Sequence, residues 1–322
     1  MAIPSSTFTE IVTTTLNAYS PKLADNVELN NGLLTRLRKR GNTKPAPGGV
    51  KLLENLKYAA NSTFKWFSGL EALDVGASDV LTSAAFDWKE ANCNVVISHL
   101  EQAQNSGTKE SVHNLVKARI EVAETTMRNN IGAALFYSNT ESGGKAIGGL
   151  QHLIADLPTS GIVGGIDRAS QTWWANQYYD FSTQLVTASS TTIQHAMNQV
   201  WVNTTRGSDM IDVFVAGATY FMYYLESLQA NQRFTNDDTV SAGFRALKFM
   251  GGAADVIYDA NCAATRMYGL NTNYISYRPH TDWNFVTLDE KASVNQAGLV
   301  IPLYWKGNMT VSNPSLQAVV CA

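Results

Sequence analysis

An α+β fold is predicted by three features of the chain. These are a strand-loop-strand stretch between Gly49 and Leu100, a long helical pattern from Thr108 to Tyr137, and an alternation of short helices and strands after Gly149. Composition adds that much of the surface is shared with other molecules. Of 322 residues, 45% are hydrophobic, which is enough for an ordinary core, but only 16% are charged; a typical soluble domain carries about 25%. Asn, Ser, Thr and Gln make up the balance, and they tolerate burial better than charges because hydrogen bonds satisfy them. So little charge on so large a chain points to extensive subunit contacts, although a polar secreted β-protein would read similarly.

Residues 1–48 read as an arm interrupted by Pro4, Pro21, Pro45 and Pro47, with one amphipathic helical stretch over Asn31–Arg40. Residues 49–107 read as an extended β-hairpin loop. KLLENLKYA leads into Phe64, Trp66 and Phe67, a small-residue tip LDVGASDVLTSAAF follows, and ANCNVVISHL is the expected return strand. A hairpin this long cannot bury both faces against its own domain, so it is expected to lie on something else.

Residues 108–142 hold the clearest helix. Thr108 can cap it, Glu110 suits the positive end of its dipole, and Val112, Leu115, Val116, Ile120, Ala123, Met127, Ile131, Ala134 and Leu135 recur at helical spacing. It would run about 40 Å and stop at the turn SNTESGGK. After Gly149 the chain reads as a compact α/β unit. TTIQHAMNQVW is a helix with Ile193, Met197, Val200 and Trp201 on one side, IDVFVAG is a short buried strand, and ATYFMYYLESLQ is a second helix. GFRALKFM and ADVIYDA are strands separated by Gly251 and Gly252, and the tail 274–322 supplies two more, GLVIPLYWKGNMTV and SLQAVV, divided by the turn SNP.

Charge and motifs exclude several function classes. A net charge of −3 argues against a protein devoted to coating nucleic acid, while a local basic patch remains open. No apolar run approaches the ~18 residues of a membrane span, and MAIPSSTFTE lacks the basic-then-apolar order of a secretion signal. The Asn-x-Thr triplets at Asn61, Asn203 and Asn308 are then chance matches. Cys93, Cys262 and Cys321 are odd in number and far apart, as expected of reduced thiols in a cytoplasm-assembled protein. There is no P-loop, dinucleotide fingerprint, G-x-S-x-G elbow or H-E-x-x-H pair.

His280 beside Asp282 is the best acid-base candidate, but no nucleophile is placed near it and a locally bonded loop histidine is the simpler reading. Asp237-Asp238 and Asp289-Glu290 read as solvated turn carboxylates before any metal site. No cofactor is expected.

Two stretches invite contact with partners. LTRLRKRGNTK, with Arg36, Arg38, Lys39, Arg40 and Lys44, could meet phosphates or acidic groups of a neighbouring subunit, or could simply be an exposed helix end. In GGIDRASQTWWANQYY the glycines permit a tight turn, and Asp167 and Arg168 can pair or cap neighbouring backbone. Trp173 and Trp174 project differently from an expected helix start, so one ring can pack inside while the other seals an interface.

The order of arm, long hairpin, long helix, compact unit and returning strands resembles the major capsid protein of tailed bacteriophages, the Hong Kong 97-type fold. GGIDRASQTWW looks like the Gly-Ile-Asp-Arg…Trp-Trp segment of one branch of that family. GFRALKFMGGAADVIYD, MYGLNTNYISY and NQAGLVIPLYWKGNMTVSNPSLQAVV look like its later segments, with Met309 in place of the usual Leu. The resemblance implies a peripheral-domain spine helix for the long helix, an extended loop lying over a neighbouring subunit, an axial domain over 143–273, and tail strands returning to the peripheral domain.

It further implies hexamers and pentamers closed into an icosahedral phage head around double-stranded DNA, with a separate scaffolding protein, a portal, and a decoration protein as a further candidate partner. Such a virion shell is assembled in the cytoplasm of a bacterial host, with no membrane and no enzymatic activity. Phe64, Trp66 and Phe67 are then expected to anchor neighbours; Arg36, Arg38, Lys39 and Arg40 would stitch the arm to a neighbour or face the genome; and Asp167, Arg168, Trp173 and Trp174 would form a structural joint. The founding member joins a loop lysine to an asparagine, for which Lys57 and Lys65 with Asn308 or Asn313 have the chemistry, although no glutamate is evident beside them. An encapsulin-type bacterial compartment and, more remotely, a soluble hydrolase are the alternatives.

Overall fold

The computed structural model describes residues 31–104, 109–228, 247–289, 291–292 and 297–322. The arm prolines Pro4 and Pro21, the cap Thr108, the first part of GFRALKFM, Asp237-Asp238 and Glu290 lie outside the described residues.

Helix α1 (Gly32–Lys39) follows Asn31 and ends at Arg40, burying Leu33, Leu34 and Leu37 at i, i+1 and i+4 spacing. Residues beyond it run beside a later strand through parallel bridges from Thr43 to Tyr277 and from Ala46 to His280. Strands β1 (Leu52–Lys57) and β2 (Leu81–Phe86) form a separate two-stranded antiparallel ribbon. The return strand of the hairpin is therefore β2, not the later run ANCNVVISHL. That run supplies β3 (Lys89–Ser98) and the start of a short helix, α2 (His99–Gln104). The reason is pairing length: β3 finds a full-length partner more than two hundred residues away in sequence, which a local hairpin cannot match.

Helix α3 (Lys109–Ala134) is the long helix, ending in turns that run to Phe136. Its side chains are described from Val116 onward, and Ala123, Met127, Ile131, Ala134 and Leu135 are buried as their spacing predicts. The helix is stopped from outside. A Cβ on Gly149 would stand 2.5 Å from the Ala134 carbonyl oxygen, and the Leu150 N–H donates to Leu135 O at 2.6 Å, so only glycine lets the chain cross the helix end.

The next elements are β4 (Ile162–Val163), β5 (Ile166–Asp167), β6 (Gln177–Asp180), α4 (Ile193–Thr204), β7 (Val213–Ala216), α5 (Ala218–Ser227), β8 (Leu247–Phe249), β9 (Ala254–Tyr258) and β10 (Arg266–Leu270). Then come β11 (Ile275–Pro279), β12 (Val286–Thr287), β13 (Lys291–Ala292), β14 (Gly298–Val311) and β15 (Ala318–Cys321). They build two main sheets.

The first centres on β14, which pairs antiparallel with β3 along one edge and with β11, β12 and β13 along the other. Helix α3 lies against β3, and this layer shares a core with α1 and the hairpin root. The second sheet has the order β6-β15-β10-β7-β9-β8 and is covered by α4 and α5. Ile193, Met197, Val200, Phe214, Tyr220 and Tyr224 form much of its core. Gly251 and Gly252 turn at φ 66 and 105 between β8 and β9, as their position predicts.

Two expectations fail here. Of the two strands read in the tail, β14 joins β11, β12 and β13 in the first sheet, whereas β15 inserts between β6 and β10 in the second. All four residues of β15 are buried, and a run with no polar alternation suits the interior of a covered sheet better than an edge. The tryptophan pair does not begin a helix either. Thr172–Trp174 is a single 3-10 turn, after which residues 177–180 become β6 by pairing parallel to β15.

Candidate assembly interface

Between β1 and β2, residues 58–80 carry no helix or strand. The stalk is closed by Tyr58 N–H donating to Val80 O at 3.1 Å. Further out, the Ser62 and Ser78 hydroxyls lie 2.8 Å apart, and Asn61 Oδ1 accepts from Thr63 and Ser78. Lys65 Nζ donates to Ala72 O across the tip. Outward stand Trp66, 90% exposed, Phe64 at 74% and Phe67 at 61%, with Leu70, Leu73 and Val75 also exposed. Phe64 and Trp66 meet edge to face at 5.6 Å. Burying apolar surface is worth roughly 25 cal/mol per Å², and this cluster leaves its apolar surface open to solvent.

The root of the same hairpin is fastened to the body. Leu52, Leu56, Ala84 and Phe86 are buried, and the Ala85 N–H donates to Gly164 O at 2.8 Å. Gly164 has φ +60, and a Cβ there would stand 2.9 Å from Ala84 Cβ and 3.0 Å from Phe86 Cζ. Arg278 Nη1 lies 2.8 Å from Glu54 Oε1, which also accepts from the Thr310 hydroxyl at 2.8 Å. Lys51 pairs with Asp87 at 3.2 Å, and the Trp88 indole N–H donates to Gly49 O at 2.8 Å.

The stretch GGIDRASQTWW is the seat of this root. The β4–β5 turn carries Gly164 and Gly165. Asp167 caps the following turn by accepting from Ala169 N–H at 3.0 Å. Arg168 points inward, donating to Leu153 O at 2.5 Å and His152 O at 3.4 Å, and burial pulls its pKa down. Trp174 is buried, with its indole N–H on Val163 O at 3.0 Å. Trp173 is half-buried, meets Trp174 edge to face at 5.5 Å and stacks on Tyr58 of the hairpin at 5.6 Å. The division of labour between the two rings is as their adjacency predicts, but the outer ring holds the hairpin of its own chain.

The basic run is divided in a way the sequence did not indicate. Arg36 pairs with Asp255 at 2.7 Å and Arg40 with Asp212 at 3.3 Å, while Leu33 N–H donates to Asp259 at 3.1 Å. Asp255 also takes Lys248 at 3.0 Å. Carboxylates flanking β7 and β9 thus hold α1 within its own chain. Arg36 and Arg40 are engaged in cis, and Arg38 stands exposed.

Lys57 and Lys65 are exposed, while Asn308 is buried and Asn313 half-buried, each with hydrogen bonds inside the chain. Asn308 is buried, donates to Asp87 O at 2.7 Å, and accepts from Met309 N–H at 2.8 Å and Gly148 N–H at 3.3 Å. Asn313 accepts from the Ser315 hydroxyl at 2.6 Å. His280 Nδ1 accepts from the Asp282 backbone N–H at 3.0 Å and its ring lies 5.4 Å from Trp88. The local reading of this histidine is the one the geometry supports, since the contact to residue 282 is through backbone.

Among the described residues no helix is long and apolar enough to cross a membrane, and no group of His, Cys, Asp or Glu side chains is arranged to hold a metal ion.

No family model and no curated protein matches the sequence, but solved structures match the architecture. The chain is similar to a chain of the cyanophage A-1(L) capsid asymmetric unit, with a TM-score of 0.66, 13% identity, and coverage of 94% of this chain and 95% of that one. It is similar to the capsid of a native GTA particle at a TM-score of 0.56, 12% identity and 99% coverage of both chains. It is also similar to the SrpI encapsulin of Synechococcus elongatus at a TM-score of 0.56 and 9% identity, covering 100% of this chain and 96% of that one. The chain therefore has the α+β Hong Kong 97-type capsid fold over essentially its whole length.

Proposed function

We propose that this chain is the major capsid protein of a tailed bacteriophage, assembling as hexamers and pentamers into an icosahedral head that encloses double-stranded DNA. The observation that carries the reading is the hairpin, whose root is fastened at several points while its tip presents Phe64, Trp66 and Phe67 to solvent. Such a projection is a poor feature for a monomer and a good one for a contact that repeats. The tip and its receiving surface differ, so the contact is heterologous and generates closed arrays when the rotation closes. Each contact can be weak because the array multiplies it. The exposed Arg38 is suited to non-specific phosphate contact or to a neighbouring subunit.

In this reading the hairpin is the extended loop, α3 the spine helix of the peripheral domain, and the six-stranded sheet the axial domain. A scaffolding protein and a portal complete assembly, in the cytoplasm of the bacterial host. The likeness to an encapsulin makes a cargo compartment the competing reading. Nuclease treatment of purified particles separates the two: protected double-stranded DNA supports the capsid, and a protein cargo without DNA supports the compartment.

A further inference from the structure

A cavity of about 380 Å³ lies beneath the hairpin root, where the root, the turn after α3, the Gly164–Gly165 turn and β14 converge. Half-buried His152 lines it, on the helical turn that follows Gly149. We propose that His152 is an acid-sensitive catch that keeps the hairpin root seated while its imidazole is neutral and releases the root when it is protonated. The inference concerns contacts within one chain and goes beyond the shell reading.

Burial and the groups lining the cavity explain the direction. From the hairpin root come Lys51 and Asp87, from β3 comes Lys89, and from the joint comes Arg168. Lys51 and Asp87 are already paired with each other. Lys89 Nζ donates to Gly144 O at 2.5 Å, and the Arg168 guanidinium donates to Leu153 O. From the turn after α3 the lining adds the uncharged Asn139, and Glu141 of that turn is bound by the Ser138 hydroxyl at 2.8 Å. From β14 comes Asn308, whose amide is consumed locally. A protonated His152 would thus be a further cation among Lys89 and Arg168, facing one carboxylate that already has a partner.

Burial, then Arg168, then Lys89 lower the His152 pKa from 6.5 to about 4. Because the seated pKa lies below the unseated one, the seated root is fully favoured above pH 6.5 and loses its advantage as pH falls from 6.5 towards 4. Lifting the root relieves the burial but leaves Arg168 and Lys89 in place, so full recovery of 6.5 is the upper bound and the open-to-seated ratio rises by at most about 30-fold at pH 5.

The test is amide hydrogen exchange on the full-length chain, corrected for intrinsic rates, followed over 52–56 and 84–86 between pH 7 and pH 4.5. The expected result is that root protection falls by more than threefold, and by up to about 30-fold, by pH 5 in the wild type and by less than threefold in His152→Gln. Equal losses in both would overturn the proposal. Should His152→Gln not fold, the imidazole titration of the wild-type chain by NMR decides: a pKa well below 6.5 accompanied by root opening supports the catch, and an ordinary pKa or an unaltered root overturns it. Neither readout depends on shell closure, so the proposal and the capsid reading fail separately.

Discussion

Replacing Gly164 by alanine should separate the fit of the hairpin root from the backbone conformation beneath it. At φ +60 an L-residue costs about 1–2 kcal/mol. The added methyl would also lie 2.9 Å from Ala84 Cβ and 3.0 Å from Phe86 Cζ, both within the buried root. Forcing a methyl into such a packed contact costs a further ~1–3 kcal/mol, so Gly164→Ala should destabilise by about 2–5 kcal/mol. Gly165 supplies the control. Its φ is +79, but no atom lies within 4 Å of where its Cβ would be, so Gly165→Ala should lose only the backbone part, about 1–2 kcal/mol. Urea denaturation of both variants measures the difference, with hydrogen exchange at 84–86 reporting whether the root has lifted. Equal destabilisation by the two variants would refute the idea that Gly164 is a seat for the hairpin.

Three further outcomes are expected. Trp66→Ala should leave the denaturation midpoint of the subunit nearly unchanged, since the ring is 90% exposed, while preventing shells from closing; sedimentation of the variant checks both. Asn308→Ala should destabilise by about 2–3 kcal/mol, because Asp87 O, Gly148 N–H and Met309 N–H would lose their partner, and a denaturation curve measures it. Burial pushes the Cys262 and Cys321 thiols up to about 12, so at pH 8 a thiol reagent should label the part-exposed Cys93 alone in the native chain and all three cysteines after denaturation.

Local structure was legible in the sequence where neighbours in the chain are also neighbours in space. Helix α1 between Asn31 and Arg40, the buried stripe of α3 and the helices over the second sheet all follow from periodicity. Pairing at long range was not. KEANCNVVIS alternates equally well as the return strand of a hairpin and as the partner of β14, and β14 begins at Gly298. Likewise AVVC reads as a buried strand without saying which sheet buries it.

The candidate interface divides in the same way. The aromatic tip was visible because a hairpin this long cannot bury both faces against its own domain, and Phe64, Trp66 and Phe67 are exposed. The cis carboxylates of Arg36 and Arg40 were invisible, because Asp255 and Asp212 are ordinary acids until folding brings them under α1. Asn308 looked available for the converse reason, since nothing in Gly-Asn-Met-Thr reveals that Asp87 and Gly148 surround it.

The central claim, that this fold builds a closed shell through its hairpin, is tested most directly by cryo-electron microscopy of the chain expressed alone and with its neighbouring genes. Uniform icosahedral particles in either preparation, with the Trp66 tip of each subunit seated on an adjacent one, are the predicted result. A small discrete oligomer in both preparations, with Phe64, Trp66 and Phe67 still facing solvent, would contradict it.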